Sequence, residues 1–186
     1  MGNFLQLYRS MDGRIGRKTW WLATIALVVV VLILEFVILT PLGLGPMPNL
    51  AAAASGDPAA ASAAALDSLH RAGWVGLVMS IIFGLPILAI GVKRRHDRDN
   101  SGLDVKIFYG LSLLLNLVQA LGLGTSMMDL GNGVSVPTPS LPFSILSFLI
   151  GIFAIYLLVV LGFLKGTTGA NQYGPDPLLV GAAAAA

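Results

Sequence analysis

The densest group of charged side chains in this sequence runs from Lys93 to Gly102 and reads KRRHDRDNSG. It holds four cations, two carboxylates and one of the two histidines, between segments that are almost purely apolar. The neighbours His96 and Asp97 are residue types that act in general acid–base catalysis or bind a divalent metal. A metal site needs further ligands, and only Asp99 and Asp176 are available for that role. We therefore expect a solvated or salt-bridged loop with its arginines at anionic lipid headgroups, and not a catalytic or metal centre.

Other sequence signatures of catalysis are missing. The chain lacks a Gly-rich phosphate loop, a Gly-x-Ser-x-Gly elbow, a metalloprotease histidine pair and a Walker lysine. With no cysteine, thiolate metal sites and a cysteine nucleophile are excluded. A basic domain or an aromatic stacking platform for nucleic acid is also missing. We expect no enzymatic activity, cofactor, metal or nucleic-acid partner, and an enzyme centred on His96 is the weakest hypothesis.

The composition is that of an integral membrane protein. Of the 186 residues, 56% are hydrophobic and 11% are charged, and the mean hydropathy is +0.84. A soluble domain has about 25% charged residues. We therefore expect an all-α integral membrane protein.

Four apolar runs are long enough to cross about 30 Å of hydrocarbon as helices. They cover residues 20–40, 74–92, 105–124 and 142–164. They predict an N-terminal interfacial or cytoplasmic segment (1–19), a four-helix transmembrane domain (20–164) and a cytoplasmic tail (165–186). Ten of the eleven Lys and Arg residues then fall on the side of the N-terminus. Because positive loops stay on the cytoplasmic side, we expect both termini in the cytoplasm of a multi-pass membrane protein.

Two helices are predicted outside the crossings. The first has its apolar side chains on one face and would lie flat in the headgroup layer; they are Phe4, Leu7, Tyr8 and Met11. The second would be capped by Asp57, begin at Pro58 and run through the alanines to Leu69.

Polar residues occur inside two of the crossings. Glu35 lies in the first, and Ser112, Asn116 and Gln119 form one stripe on the third. Both helices run outward, so we expect Glu35 and Gln119 at similar depth. We expect Glu35 to bond to Gln119 or Asn116, or to reach the outer interface, and the alternative is ion or proton handling.

Small residues recur at every fourth position of the second crossing, at Gly76, Ser80 and Gly84. This spacing lets another helix approach closely. We expect the face to pack inside the protein or against a partner.

Three polar segments fall on the predicted cytoplasmic side. They read GRIGRK from Gly13, KRRHDRDNSG from Lys93 and NQYGPDP from Asn171. We expect them to meet, with Arg14 or Arg17 paired to Asp97 or Asp176 through charge-assisted hydrogen bonds.

At these three segments the chain resembles the DUF805 family of small prokaryotic inner-membrane proteins, whose function is not established. The matching residues are Gly13, Arg14, Arg17 and Trp20-Trp21; Lys93, Arg94, His96, Asp97, Ser101 and Gly102; and Gly166, Thr167, Gly169, Asn171, Tyr173, Gly174, Pro175, Asp176 and Pro177. Met11 replaces a usual aromatic, Arg95 a usual leucine, and Leu103-Asp104 usual tryptophans, which weakens the interfacial anchor after the loop. The resemblance implies a four-helix fold and an inner-membrane location, and it implies no activity.

These patterns favour a non-enzymatic accessory or assembly subunit of a larger membrane complex. It would bind a partner membrane protein through its helix faces and the three-segment cytoplasmic surface, and anionic lipid headgroups at the same side. The alternative is a small transporter or lipid-handling protein that uses Glu35 and the Asn116 and Gln119 stripe.

Overall fold

The chain is mainly helical, and the computed structural model describes residues 4–45, 56–131 and 135–179. Its helices are α1 (Phe4–Arg9), α2 (Arg17–Ile33), α3 (Pro58–His96), α4 (Leu103–Ala120) and α5 (Leu141–Leu158). Wider π-helical turns extend α2 over Leu34–Leu39 and α5 over Val159–Phe163. Helices α2 to α5 are each long and apolar enough to cross a membrane. The predicted class, a helical protein with four membrane-spanning helices, is confirmed.

The short helix α1 forms where its apolar spacing predicted a helix. Its residues Leu7 and Tyr8, and Met11 just beyond it, pack against the buried core of the protein instead of facing outward. The Tyr8 hydroxyl donates to the carbonyl oxygen of Ala23 at 3.2 Å. Burial raises the pKa of the Tyr8 phenol, so this donor keeps its proton. The apolar face predicted for the headgroup layer therefore contacts the chain itself.

Helix α3 is much longer than the crossing predicted over residues 74–92. It starts where the sequence predicted a separate helix, because Asp57 Oδ1 accepts from the amide of Ala59 at 2.9 Å. Nothing interrupts it near Leu69, and the two predicted segments form one helix of 39 residues. A crossing needs only about 20 residues, so α3 exceeds one hydrocarbon thickness.

The sequence predicted a loop over the whole charged stretch, and the structure shows that its first four residues are helical. Lys93 to His96 form the last turn of α3, and the polypeptide leaves the helix only after them. The amide of Asn100 donates to the carbonyl of Arg95 at 3.1 Å, and Asp99 takes a left-handed conformation with φ of 55°. This arrangement ends a helix in the way that glycine usually does.

A short β-hairpin lies in the connection that the sequence left without structure. Strands β1 (Thr125–Asp129) and β2 (Ser135–Pro139) pair antiparallel, with Thr125 opposite Pro139 and Asp129 opposite Ser135. Helix α4 ends before it at Ala120, although the predicted crossing continued to residue 124. The left-handed Gly122, with φ of 73°, donates its amide to the carbonyl of Gln119 at 3.0 Å and turns the chain.

The chain divides into two compact units. The first contains Met1–Val29, Ile81–Leu111 and Gly151–Ala186, and the second contains Val30–Ser80 and Ser112–Ile150. The core of the first unit is one cluster of buried side chains: Ile15, Trp20, Ala23, Ile90, Val92, Val105, Leu157 and Leu161. This cluster joins α2, α3, α4 and α5 beside the charged end of α3.

Candidate functional site

Arg14 and Asp97 form the centre of a buried polar cluster in the first unit. Their side chains are 1% and 7% exposed. Arg14 Nε and Nη2 donate to the same oxygen of Asp97, at 3.2 and 3.1 Å. The other Asp97 oxygen accepts from Arg94, whose side chain is fully buried. The carboxylate therefore lies between two guanidinium groups, and its own charge offsets part of theirs.

The remaining N–H groups of Arg14 hold the C-terminal tail. Nη2 donates to the carbonyl of Thr167 at 2.8 Å, and Nη1 donates to the carbonyl of Gly169 at 2.7 Å and to that of Gly174 at 3.2 Å. Asp97 reinforces this contact, since its carbonyl accepts from the Thr167 amide at 2.8 Å. The planar fork of arginine bonds to several acceptors at once, which a lysine in this position would not do. Arg14 thus joins the first and second polar segments to the third.

Four consecutive carbonyl groups at the end of α5 accept hydrogen bonds from side chains. Such groups have no partner within their own helix and carry partial negative charge. The pairs are Arg94 Nε with Leu161 (2.7 Å), Trp21 Nε1 with Gly162 (3.1 Å), Arg17 Nη1 with Phe163 (3.0 Å) and Arg94 Nη2 with Leu164. Nothing in the sequence indicated this bonding role for Trp21.

Lys93 acts on α1 in the same manner. Its ammonium group donates to the carbonyls of Gln6 and Leu7, at 2.7 and 3.0 Å. These carbonyls lie near the end of α1, where a cation is favourable. Lys93, Arg94 and Arg95 are all buried, so the sequence-based expectation of arginines at lipid headgroups is wrong for Arg94 and Arg95.

His96 lies against the tail. Its ring stacks on Tyr173 with ring centroids 3.8 Å apart and planes within 5°. Nδ1 lies 3.1 Å from the carbonyl oxygen of Gly13, so Nδ1 carries a proton and donates it. The His96 carbonyl accepts from Asn171 Nδ2 at 2.9 Å. His96 therefore contacts both other polar segments and has no described carboxylate within hydrogen-bonding distance.

The tail is folded on itself by two polar side chains. Asn171 and Gly174 exchange backbone hydrogen bonds at 3.0 Å each, and Asn171 Oδ1 accepts from the Tyr173 amide at 2.9 Å. Asp176 accepts from the amides of Gly169 and Leu178, at 3.0 and 2.9 Å. These two hydrogen bonds lower the pKa of Asp176 below its ordinary value, and the charge of Arg14 adds to the effect. Pro177 follows at the start of a single helical turn.

We name this cluster the polar junction and define it as Gly13–Arg17, Lys93–Asp97 and Thr167–Asp176. The two other predicted residues of the second segment lie at its margin: Ser101 is exposed and Gly102 is buried against Val92. Gly166, beside the junction, passes so close to Asp97 that a side chain there would overlap the carboxylate. Within the described ranges, no three His, Asp or Glu side chains are grouped closely enough to hold a metal ion.

The unusual residues Arg95 and Asp104 bind each other. Arg95 Nε lies 3.1 Å from Asp104 Oδ1, and Nη2 lies 2.9 Å from Oδ2. Tyr156 on α5 also donates to Asp104, at 3.3 Å. The sequence treated these two replacements as independent weaknesses of an interfacial anchor, and the structure makes them a bidentate ion pair.

Glu35 and the polar stripe on α4 are not bonded to each other. Asn116 Nδ2 donates to Ser80 Oγ at 2.9 Å, and Gln119 Nε2 lies 3.5 Å from the carbonyl of Leu69. For the Glu35 carboxylate, the described part of the second unit offers no hydrogen bond or ion pair. The prediction that Glu35 bonds to Asn116 or Gln119 is therefore wrong, since no such bond exists among the described residues.

The small-residue face of α3 is covered by α4. A side chain at Gly76 would meet Asn116, and one at Gly84 would overlap the Tyr109 hydroxyl. Ser80 is bonded to Asn116, as described above. Of the two expected roles, packing inside the protein is the one that the structure contains.

The fold and the polar junction define the class of this protein. It is a helical membrane protein in which arginine side chains bond to the carbonyl end of a spanning helix and to a folded tail. The chain belongs to the DUF805 family, described as a protein of unknown function, whose family model matches residues 8–175. No curated protein and no solved structure matches the chain.

Proposed function

We propose that this protein is a non-enzymatic accessory or assembly subunit of a larger membrane complex. It binds a partner membrane protein with the tip Arg98–Ser101, which follows the polar junction at the end of α3. Arg98 is half-buried and the other three residues of the tip are exposed. The supporting observation is that Asp99, Asn100 and Ser101 are exposed, on a backbone that the hydrogen bond from the Asn100 amide to the Arg95 carbonyl fixes at the end of α3.

Three of the four side chains of the tip are available to a partner. Asp99, Asn100 and Ser101 are exposed. Asn100 accepts from the Gly102 amide at 3.0 Å, whereas the side chains of Arg98, Asp99 and Ser101 have no partner within the described residues. The tip thus offers a cation, a carboxylate and a hydroxyl on a fixed backbone, which suits a specific polar contact.

The buried charges support a structural role for the polar junction itself. Arg14, Arg94 and Asp97 are bound to one another and to backbone carbonyls, which leaves them unsuited to acting on a substrate. The small-residue face of α3 is used by α4, so we assign docking to the tip instead of that face.

The test is gentle detergent purification from native membranes. We expect a stoichiometric membrane protein to co-purify with the wild type. The double substitution Arg98→Ala and Asp99→Gly should abolish this, since glycine keeps the left-handed conformation while both charges are lost. Lys106→Ala, an exposed cation outside the tip, is the matched control. A monodisperse wild-type chain without a partner, or equal recovery from the tip variant, would refute the proposal.

A lipid-handling protein is the second candidate, and a groove in the first unit that is lined by Arg17, Lys18 and Lys165 favours it. The transport version has less support, because Asn116 and Gln119 are engaged with α3. We expect proton flux in liposomes to be the same for the wild type and Glu35→Gln. A flux that depends on Glu35 would restore the transport hypothesis.

We also propose a cytoplasmic-membrane location with both termini inside. The absence of cysteine makes this testable by labelling single-cysteine variants in intact cells. We expect Asp129→Cys to react with a membrane-impermeant maleimide, and Ser101→Cys to react only after the membrane is opened. The reverse pattern would invert the topology.

A further inference from the structure

A groove of about 770 Å³ opens in the first unit beside the polar junction. It lies between the start of α2, the segment that follows α5 and the turn that contains Pro177. Its basic lining residues are Arg17, Lys18 and Lys165, and Thr19 and Thr168 supply hydroxyl groups. The hydroxyl of Thr167, which also lines the groove, already donates to the Asp97 carbonyl at 3.2 Å. Cations and hydroxyls are the side-chain donors that bind phosphate oxygens.

The positive charge of the groove is available to a ligand. Lys18 and Lys165 are exposed, and neither has an ion pair or a side-chain hydrogen bond within the described ranges. Arg17 uses Nη1 on the Phe163 carbonyl and keeps its other N–H groups. These cations differ from those of the KRRHDRDNSG stretch, which the sequence had assigned to headgroups.

The two carboxylates that line the groove do not cancel this charge. Asp97 is already bound by Arg14 and Arg94. Asp176 accepts two backbone hydrogen bonds that stabilise its negative charge, so one carboxylate charge stands against the three cations Arg17, Lys18 and Lys165. An anion in the groove therefore meets cations whose charge is not neutralised by a direct partner.

The groove lies at the ends of two helices that are long and apolar enough to span a membrane. Helix α2 begins at Arg17 and the π-helical turn after α5 ends at Phe163, so the groove lies where two spanning segments reach the membrane surface. Leu178 also lines it and is 76% exposed, which places an apolar side chain beside the cations. A free phosphate ion gains no favourable contact from the Leu178 side chain, whereas a lipid has both a phosphate group and hydrocarbon chains.

We propose that this groove binds the phosphate of an anionic membrane lipid, with Lys18 and Lys165 as the residues that select for its charge. The site is independent of the docking tip, so either proposal can fail without the other.

The experiment measures lipid binding to the full chain. The protein is placed in nanodiscs of phosphatidylcholine with phosphatidylglycerol added, and retained lipid is identified by native mass spectrometry. The wild type should retain phosphatidylglycerol in preference to phosphatidylcholine. Lys18→Gln with Lys165→Gln should lower that preference about fivefold for each lysine. Arg9→Gln with Lys106→Gln removes the same charge at exposed positions outside the groove and should leave the preference unchanged. Retained secondary structure and thermal stability of both variants show that each is folded.

Three results would overturn the proposal. An equal loss in the Arg9 and Lys106 variant would mean diffuse surface attraction. Displacement of phosphatidylglycerol by inorganic phosphate or glycerol phosphate would mean a site for a soluble anion. Equal retention of phosphatidylcholine and phosphatidylglycerol by the wild type would mean that the lysines select nothing.

Discussion

The guanidinium of Arg14 donates two hydrogen bonds to one oxygen of Asp97, although 83 positions separate the residues in the chain. Arg94 binds the other oxygen from one turn earlier on α3. Because the three side chains are buried, the cost of desolvating their charges offsets much of the attraction between them. The main effect of the pairing is therefore to hold α2, α3 and the tail together. The loss of one partner leaves the others buried and unpaired.

We expect Arg14→Ala to destabilise the fold by about 3–5 kcal/mol, the usual cost of breaking a buried ion pair. Arg14→Lys should recover only part of this, since one ammonium group cannot reach Asp97 and three carbonyls together. Thermal unfolding in detergent would measure both. Arg9→Lys, at an exposed position of α1, is the control and should have little effect. Full stability of Arg14→Lys would show that charge alone is sufficient.

Trp21→Phe should cost about 1 kcal/mol, because it removes one N–H···O=C bond and keeps most of the aromatic packing. The Trp21 ring lies against Phe163, with centroids 5.9 Å apart, and phenylalanine can retain much of that contact. The measurable effect is faster hydrogen exchange near Gly162, whose carbonyl loses its donor. Exchange in α4 serves as the internal reference. Equal exchange at the end of α5 would argue against a bonding role for Trp21.

The tail should loosen in acid. Because the folded state lowers the pKa of Asp176 below its ordinary 3.8, the stability from this carboxylate is present above 3.8. It is lost as the pH falls through the lower folded pKa. We expect the amides of Gly169 and Leu178 to lose protection in that range, after correction for intrinsic exchange. Asp176→Asn should lose one of these two hydrogen bonds already at neutral pH. Unchanged protection in acid would show that another contact holds the tail.

Hydropathy and charge placement were sufficient to predict the four spanning helices, because each needs only a long apolar run. The pairing of Arg14 with Asp97 was one of four pairings that the sequence left open, and it is the one that the structure contains. The bonds from Arg94 and Trp21 to the end of α5 could not be predicted, because the residue types do not show which backbone carbonyl groups accept a side-chain hydrogen bond. The ion pair between Arg95 and Asp104 could not be predicted for a different reason. Each replacement was interpreted by itself as weakening the interfacial anchor, and the sequence does not show that the two side chains lie side by side.

Gly166 offers the sharpest test of the polar junction. A methyl group there would overlap the Asp97 carboxylate and its backbone oxygen, neither of which can move while Arg14 and Arg94 hold the side chain. We expect Gly166→Ala to lower the unfolding temperature and to raise hydrogen exchange at the Thr167 amide. Gly151→Ala is the matched control, because nothing lies within 4 Å of its added methyl group. Its position inside α5 should make that change stabilising by about 0.5–1 kcal/mol. Tolerance of both substitutions would mean that the tail does not approach Asp97 so closely.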